Sequence, residues 1–261
     1  MRTIAVINQK GGVGKTTTTI NFGHALAMRG HRVTLVDLDP QGHLAACMGL
    51  FRAPHKGMQQ VLLENMALQD VAVSTREMIK LIPTGDDLGS FEYLSGGLDN
   101  AGALKERIAA SSLDTDYLVF DCPPSAGMLV ANAVVAADDI LVPVAGDYLS
   151  LTGLARLMIT IKKLESMRDS EARKWIFLSR FVARRRLSKE AVAKLKEHFS
   201  DQLLQSSIRE AAALAECAGA GRTIFEYRPK SKSAEEFANL ADDFLQGRVM
   251  SNEQQTTTNA A

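Results

Sequence analysis

The chain has 261 residues, of which 46% are hydrophobic and 23% charged, which is enough apolar material for one large α/β domain. Its formal net charge is zero, so any affinity for nucleic acid has to come from a local basic patch. Its apolar runs are too short to span a bilayer, its start does not resemble a secretory leader, and its three cysteines are widely spaced. We therefore expect a reduced, cytoplasmic compartment and no membrane partner.

A glycine-rich loop, Lys10–Thr17, follows a predicted strand at Thr3–Ile7 and opens a predicted helix over Lys15–Met28. Its glycines are Gly11, Gly12 and Gly14. Because these positions lack side chains, successive N–H groups can converge on phosphate oxygens at the helix N-terminus. The order of strand, loop and helix favours a nucleotide site over an incidental glycine-rich turn.

The polar residues of the loop supply the chemistry that polyphosphate binding requires. Lys15 is placed to reach the β- and γ-phosphates, and the Thr16 hydroxyl is placed to ligate Mg²⁺. The general phosphate-loop pattern has a glycine where this chain has Gln9, and a second lysine, Lys10, follows it. The predicted nucleotide-binding residues are Lys10, Gly11, Gly12, Val13, Gly14, Lys15, Thr16 and Thr17.

Carboxylates end two further predicted strands. Asp37 and Asp39 follow the run Arg32–Val36, and Asp121 closes the run Tyr117–Asp121. In an open α/β sheet, ligands bind at the carboxyl ends of the strands. Asp121 has the form of a Walker B aspartate, which holds Mg²⁺ through water. Asp121 and Thr16 are therefore candidate residues of a metal site.

The loop, with its early lysine, resembles the deviant Walker A box of the ParA/MinD family of dimeric ATPases. The resemblance extends over nearly the whole chain and implies that Lys10 contacts the nucleotide of the opposite protomer. It also implies that Asp39 positions the attacking water and that Asp37 supports the Mg²⁺ region. Lys10, Lys15 and Asp39 are thus the expected catalytic residues, with ATP and Mg²⁺ as cofactors.

The remaining pattern predicts one doubly wound, mostly parallel α/β sheet flanked by helices over residues 1–247, with a polar, disordered tail at 248–261. Further strands are expected at Met78–Ile82, Asp139–Val144 and Trp175–Phe181. Further helices are expected at Gly57–Met66, Asn100–Ala110, Gly127–Ala137, Leu154–Met167 and Ser233–Leu245. The last helix is predicted to begin with Ser233 as N-cap and Glu236 as capping-box partner.

A run of basic residues surrounds three successive arginines, Arg184, Arg185 and Arg186. Such a run is either a solvated face or a phosphate-binding patch, because adjacent arginines repel each other unless an anion relieves them. The resemblance places a DNA-contacting turn here. Arg209, Lys230 and Lys232 are expected to join it in one basic surface across the ATP-closed dimer.

The segment 207–232 keeps the general order of the motifs typical of partition ATPases but differs from them in most of its residues. This difference favours a family member without an assigned partner system that positions a cargo other than a replicon. The resemblance implies an ATP-dependent homodimer that binds nucleoid DNA without sequence preference. A ParB-like or cargo-adaptor protein would stimulate its hydrolysis of ATP, so that a plasmid, chromosome region or protein complex is positioned. The alternatives are a membrane-cycling MinD-like regulator and a soluble ATPase switch that acts on a protein partner. A nitrogenase-like iron protein would need further suitable cysteines besides Cys122, which we interpret as a packed residue.

Overall fold

A computed structural model describes residues 1–52, 54–94, 100–146, 148–168, 170–182 and 186–250. The strands of these ranges are β1 (Arg2–Val6), β2 (Val33–Asp37), β3 (Val73–Arg76), β4 (Ile79–Ile82), β5 (Tyr117–Asp121), β6 (Asp139–Ala145), β7 (Arg173–Phe181) and β8 (Leu203–Arg209). They form one sheet in the order β3-β4-β2-β5-β1-β6-β7-β8. Every neighbouring pair is parallel except β3 and β4. The predicted doubly wound, mostly parallel sheet is confirmed.

Helices cover both faces of the sheet. In the described ranges they are α1 (Lys15–Ala27), α2 (His43–Cys47), α3 (Met58–Leu63), α4 (Leu68–Val71), α5 (Ser90–Leu94), α6 (Ala103–Ala109), α7 (Met128–Ala136), α8 (Tyr148–Glu165), α9 (Arg186–Phe199), α10 (Ala212–Gly219), α11 (Ile224–Tyr227) and α12 (Lys232–Gln246). One apolar core joins the sheet to α1, α2 and α10 to α12, and a second joins its other face to α3 through α9.

Alternate side chains of each central strand point to opposite faces of the sheet, which is why the sheet contributes to two cores. In β1, Ile4 and Val6 belong to the core under α1, whereas Ala5 packs into the opposite one. Successive side chains of a strand point to opposite faces, so a wholly apolar strand serves both layers. This arrangement holds the carboxyl ends of β1, β2 and β5 side by side, in the register that pairs Asp37 with Asp121.

The structure adds two strands to the prediction and corrects the starts of two helices. The edge strands β3 and β8 were not predicted, and α8 begins at Tyr148 instead of Leu154. The N-cap of α12 is Ser231, whose side chain accepts a hydrogen bond from the N–H of Ala234, and not Ser233. Glu236 therefore makes no capping box. Its carboxylate instead accepts the backbone N–H of Arg209 at 3.0 Å.

The packed chain continues past α12 to the last described residue. Val249 pairs with Leu204 of β8, and the N–H of Met250 donates to the carbonyl of Leu203 at 2.8 Å. These residues fall within the segment predicted as a tail, whose remainder, 251–261, lies outside the described residues. Across the described ranges, none of the helices has the length and apolarity needed to cross a membrane.

Candidate functional site

A cleft of about 710 Å³ opens at the carboxyl ends of the central strands. Its first side, which we call the loop wall, consists of Gly11–Thr18 and Asp39. Its second side, the outer wall, consists of Arg180, Ile208–Ala212, Leu214 and Ala215. Pro124, Ser179 and Phe237 complete the lining. The two walls come from distant parts of the sequence and meet because β1 and β8 belong to one sheet.

The backbone of the loop wall adopts conformations that glycine favours. Gly12 has φ +73° and Gly14 has φ +92°, both in the left-handed region where a side chain is strained. Gly14 is the N-cap of α1, so the loop leads directly into the positive end of a helix of 13 residues. This is the geometry in which backbone N–H groups bind anions.

Lys15 lies in a dry part of the loop wall. Its residue is 8% exposed, and its Nζ is 3.5 Å from the carbonyl oxygen of Lys10, at the outer limit for a hydrogen bond. Burial lowers the pKa of Lys15, and the charges of Asp121 and Asp39 oppose that shift. A phosphate chain in the cleft would meet a poorly solvated ammonium group, where ionic hydrogen bonds are strong.

Asp121 lies behind the loop at the end of β5 and is 1% exposed. The hydroxyls of Thr16 and Thr19 donate to its carboxylate, Thr19 at 3.2 Å. Burial raises the pKa of Asp121 to about 7, although both threonine hydrogen bonds act against the shift. The structure thus places the predicted metal residues Thr16 and Asp121 in contact.

This contact fits Mg²⁺ held at a nucleotide. Mg²⁺ takes one or two protein oxygens and completes its octahedron with water and phosphate oxygens. In the described part of the chain, no group of three or more His, Cys, Asp or Glu side chains could hold a metal ion. Thr16 and Asp121 would hold Mg²⁺ with water and phosphate oxygens completing its coordination.

Asp37 pairs with Asp121 in the register of β2 and β5. Both carboxylates are buried, and neither residue is part of the cleft lining. The two carboxylate oxygens of Asp37 accept the N–H groups of Asp39 and Leu44, each at 3.1 Å. Burial raises the pKa of Asp37 well above its ordinary value, and the neighbouring charge of Asp121 raises it further. Asp37 thus fixes the turn that carries Asp39, and its support of the Mg²⁺ region stays a prediction.

Asp39 reaches the cleft from this turn. One of its carboxylate oxygens accepts the N–H of Gln41 at 3.1 Å, and its backbone carbonyl accepts the N–H of Gly42 at 2.9 Å. Asp39 therefore shares the loop wall with Lys15, as expected for a residue that orients water near the phosphates. Its catalytic role stays a prediction.

Lys10 lies at the entrance of the loop. Its N–H donates to the side chain of Asn8 at 2.9 Å, and Asn8 in turn donates to the carbonyl of Pro143 at 2.8 Å. Lys10 is half-buried, and the lining of the cleft begins after it, at Gly11. This placement is compatible with a contact to a second protomer, which stays a prediction.

The six predicted DNA-binding residues are only partly described. Arg184 and Arg185 lie outside the described residues, as does the side chain of Arg186, whose backbone begins α9. Arg209 forms an ion pair with Glu236 of α12. Lys230 and Lys232 are the remaining two, and Lys232 is the first residue of α12. The three described residues thus surround the first turns of one helix.

Comparisons with known proteins agree with this geometry. A family model described as an AAA domain matches residues 1–173. The sporulation initiation inhibitor protein Soj of Bacillus subtilis is 33% identical over 92% of this chain and 96% of its own length. The chromosome partitioning protein ParA of Myxococcus xanthus is 32% identical over 94% of this chain and 88% of its own length.

The chain belongs to the ParA family. A solved structure of cobyrinic acid a,c-diamide synthase from Mycobacterium smegmatis, with a bound ATP analogue and magnesium, is also similar, at 31% identity and a TM-score of 0.80. That similarity covers 96% of this chain and 98% of the other. The ParA-type resemblance expected from the phosphate loop is thereby confirmed.

Several residues of this ParA-family cleft could not be identified as site residues from the sequence. Ser179 donates to the carbonyl of Val13, and Arg180 donates to the carbonyl of Gly12 and forms an ion pair with Glu210. In the sequence Arg180 is only one member of a basic run. The left-handed conformation that brings it to the loop, with φ +49°, has no sequence signal. Cys122 is 1% exposed and burial raises the pKa of its thiol, as suits a packed residue.

Proposed function

We propose that this chain is an ATPase that uses ATP and Mg²⁺ and closes into a homodimer when ATP binds. The dimer binds nucleoid DNA without sequence preference, and a ParB-like or cargo-adaptor protein stimulates hydrolysis. The cycle positions or segregates a plasmid, a chromosome region or a protein complex in the cytoplasm. The observation that carries the proposal is the loop wall of a ParA-family chain: Lys15, Thr16 and Asp39 line one cleft, and Asp121 lies behind it in contact with Thr16.

The chemistry divides among these residues. The N–H groups of the loop and the ammonium of Lys15 bind the phosphates. Bound Mg²⁺ would neutralise charge on the β- and γ-phosphates. Asp39 orients the attacking water, and Lys10 of the opposite protomer stabilises the charge that develops in the transition state. Because Lys10 would act in trans, hydrolysis depends on dimer closure.

The proposed DNA contacts are supported by the position of three cations. Arg209, Lys230 and Lys232 surround the N-terminal turns of α12, a helix of 15 residues whose positive end favours anions. Two-fold symmetry in the closed dimer would present this set of cations twice. Affinity would then rise with ATP and fall with salt.

Of the two alternatives, the MinD-like one has less support. Membrane cycling needs an amphipathic helix with a free apolar face. The apolar face of α12 is buried instead, and Phe244 makes edge contacts with Phe22 at 5.2 Å and Trp175 at 5.8 Å between ring centroids. A soluble switch that acts only on protein stays the second candidate, because it needs the same cleft but no basic surface.

One experiment tests the proposal. ATP hydrolysis and binding to random-sequence duplex DNA are measured at two salt concentrations with ATP, ADP and no nucleotide. We expect hydrolysis, and DNA binding that is much stronger with ATP. The double variant Arg185→Glu with Arg186→Glu should lose DNA binding and keep nucleotide binding. Lys162→Glu with Lys163→Glu on α8 makes the same change of charge elsewhere and should keep both.

The outcomes separate the candidates. A chain that does not hydrolyse ATP would refute the ATPase assignment. Hydrolysis with equal DNA binding in all three states, or with none, would make the arginines a solvated face and favour the soluble switch. Association with anionic vesicles that depends on ATP would support the MinD-like alternative instead.

A further inference from the structure

Two consecutive side chains of β7 hold two consecutive carbonyl groups of the phosphate loop. The hydroxyl of Ser179 donates to the carbonyl of Val13 at 2.7 Å, and Nη1 of Arg180 donates to the carbonyl of Gly12 at 2.6 Å. Ser179 is 3% exposed, so its hydrogen bond lies in the interior. The loop is therefore attached to strand β7 at the segment that leads into Gly14.

The backbone of β7 is distorted where this happens. Successive side chains of a regular strand point to opposite faces, so Ser179 and Arg180 should not both reach one loop. Arg180 has φ +49°, and the register of β7 against β8 shifts between Leu178 and Phe181. A left-handed arginine is unusual and strained, and irregularities of this kind re-aim side chains near functional sites.

The two hydrogen bonds determine where the loop N–H groups point. In a trans peptide unit the C=O and the N–H point in opposite directions. The carbonyl of Gly12 shares its unit with the N–H of Val13, and the carbonyl of Val13 shares its unit with the N–H of Gly14. When both carbonyls are held against β7, both N–H groups are directed to the other side of the loop.

Arg180 is itself held in place from the outer wall. Its Nη2 is 2.5 Å from Oε1 of Glu210, the residue after β8. The planar guanidinium can donate to the loop and to this carboxylate at once, which a lysine ammonium does less well. The pair is half-exposed, so its value lies in orienting Arg180 more than in stability.

We propose that Ser179 and Arg180 are positioning residues of the phosphate site: they orient the N–H groups of Val13 and Gly14 before a polyphosphate binds. This inference rests on the proposed function and deepens it. The ligand concerned is the phosphate chain, not the base. Removing either donor lets its peptide unit rotate, so the affinity for polyphosphate falls whichever base is attached.

The variants are chosen so that the fold survives. Arg180→Gly removes the guanidinium and places at φ +49° the residue that tolerates this conformation best. Ser179→Ala removes one donor with little change of volume and serves if the first variant fails to fold. Arg228→Ala is the matched control, because Arg228 is also half-exposed and forms a 3.1 Å ion pair with Glu216.

Full-length protein is titrated with ATP, GTP and inorganic tripolyphosphate in the presence of Mg²⁺, the weaker ligands by competition with a fluorescent nucleotide. We expect Arg180→Gly to weaken binding of all three ligands by the same factor of about ten, and Ser179→Ala by about three to ten, as for single hydrogen bonds. The ratio of ATP to GTP affinity stays constant. Arg228→Ala binds like the wild type, and melting temperatures report folding.

The inference is overturned if the folded variants bind tripolyphosphate like the wild type, or if only the ratio of ATP to GTP affinity changes, since Arg180 would then contact the base. These results leave the proposed function intact. A wild-type chain that binds neither ATP nor tripolyphosphate would instead overturn the proposed function.

Discussion

The two walls of the cleft are built on different physical principles. On the loop side two charged residues are buried, Lys15 in the wall at 8% exposure and Asp121 behind it at 1%. The outer wall has more exposed charges: Arg180 and Glu210 form a half-exposed ion pair, and the half-exposed Arg209 pairs with the less exposed Glu236 of α12. A buried charge that loses its partner costs several kcal/mol, whereas an exposed ion pair contributes about 0–1 kcal/mol.

This difference in burial indicates how many amino-acid substitutions each wall can tolerate. The loop wall tolerates few substitutions, because its charges, its left-handed glycines and its helix terminus depend on each other. Apart from Arg180, which holds the loop, the outer wall can exchange residues at a small cost in stability. Most of it falls in the segment 207–232, for which the sequence predicts a departure from the usual partition-ATPase pattern. We therefore expect the loop wall and Arg180 to be fixed by the chemistry of the site, and the other residues of the outer wall to vary with the proposed partner or cargo.

The largest effect on the loop side is expected from Lys10→Ala. A positive group supplied in trans is worth about 10³–10⁵ in the rate of related phosphoryl transfers, so hydrolysis should fall by that order. The variant should bind nucleotide as a monomer and fail to form the ATP-dependent dimer. Light scattering with ATP measures the dimer, with Lys105→Ala as the control. A Lys10→Ala chain that still dimerises would rule out the shared nucleotide site.

Asp39→Ala should separate binding from chemistry. The variant should bind ATP and dimerise, because the hydrogen bonds of Asp39 lie within its own turn and not on the loop carbonyls. Its hydrolysis should fall by about 10²–10⁴, the usual contribution of a group that handles the proton of the nucleophile. Steady-state phosphate release and ATP titration measure the two properties. Loss of nucleotide binding would show that Asp39 is a structural or metal residue.

Lys15→Ala should weaken ATP binding by about 10- to 100-fold, the range for a hydrogen bond to a charged group. The phosphates would lose a charge partner in a poorly solvated site. Calorimetric titration measures the affinity. Unchanged affinity would contradict the assignment of Lys15 and, with it, the contrast between the two walls.

The loop wall could be predicted from the sequence because its conformation depends on residues that are close together along the chain. A strand, three glycines, a lysine and a threonine within one segment specify both the conformation and the ligand. The parallel sheet follows for the same reason, since strands that alternate with helices pair in parallel. Asp121 can be identified from the sequence because it ends an apolar strand. Its contact with Thr16 follows because β1, which leads into the loop, lies next to β5.

The outer wall could not be predicted because it depends on long-range contacts. Nothing near Arg180 in the sequence signals a left-handed residue, and its partners Gly12 and Glu210 are distant along the chain. Serine is common at N-caps, and the sequence pattern favours Ser233 for α12 because Glu236 stands three residues after it. Ser231 takes that position, and Glu236 binds Arg209 across the gap between β8 and α12.

The smallest effect is expected from the ion pair between Arg209 and Glu236. Arg209→Gln should change the free energy of unfolding by no more than about 1 kcal/mol, because the arginine is exposed and such pairs contribute little. If Arg209 binds a DNA phosphate, the slope of log affinity against log salt should become shallower by about 0.9 for each phosphate that the variant no longer neutralises. Binding at several salt concentrations with ATP measures that slope.

Glu236→Gln tests the same pair from the other side. The glutamine oxygen can still accept the backbone N–H of Arg209, while the negative charge that competes with phosphate is removed. DNA affinity should therefore rise severalfold, and the rise should vanish in the double variant with Arg209→Gln. If neither single variant alters DNA binding, Arg209 serves only the outer wall. The DNA surface would then have to be built from the arginines at the start of α9 and the lysines at α12, without this residue.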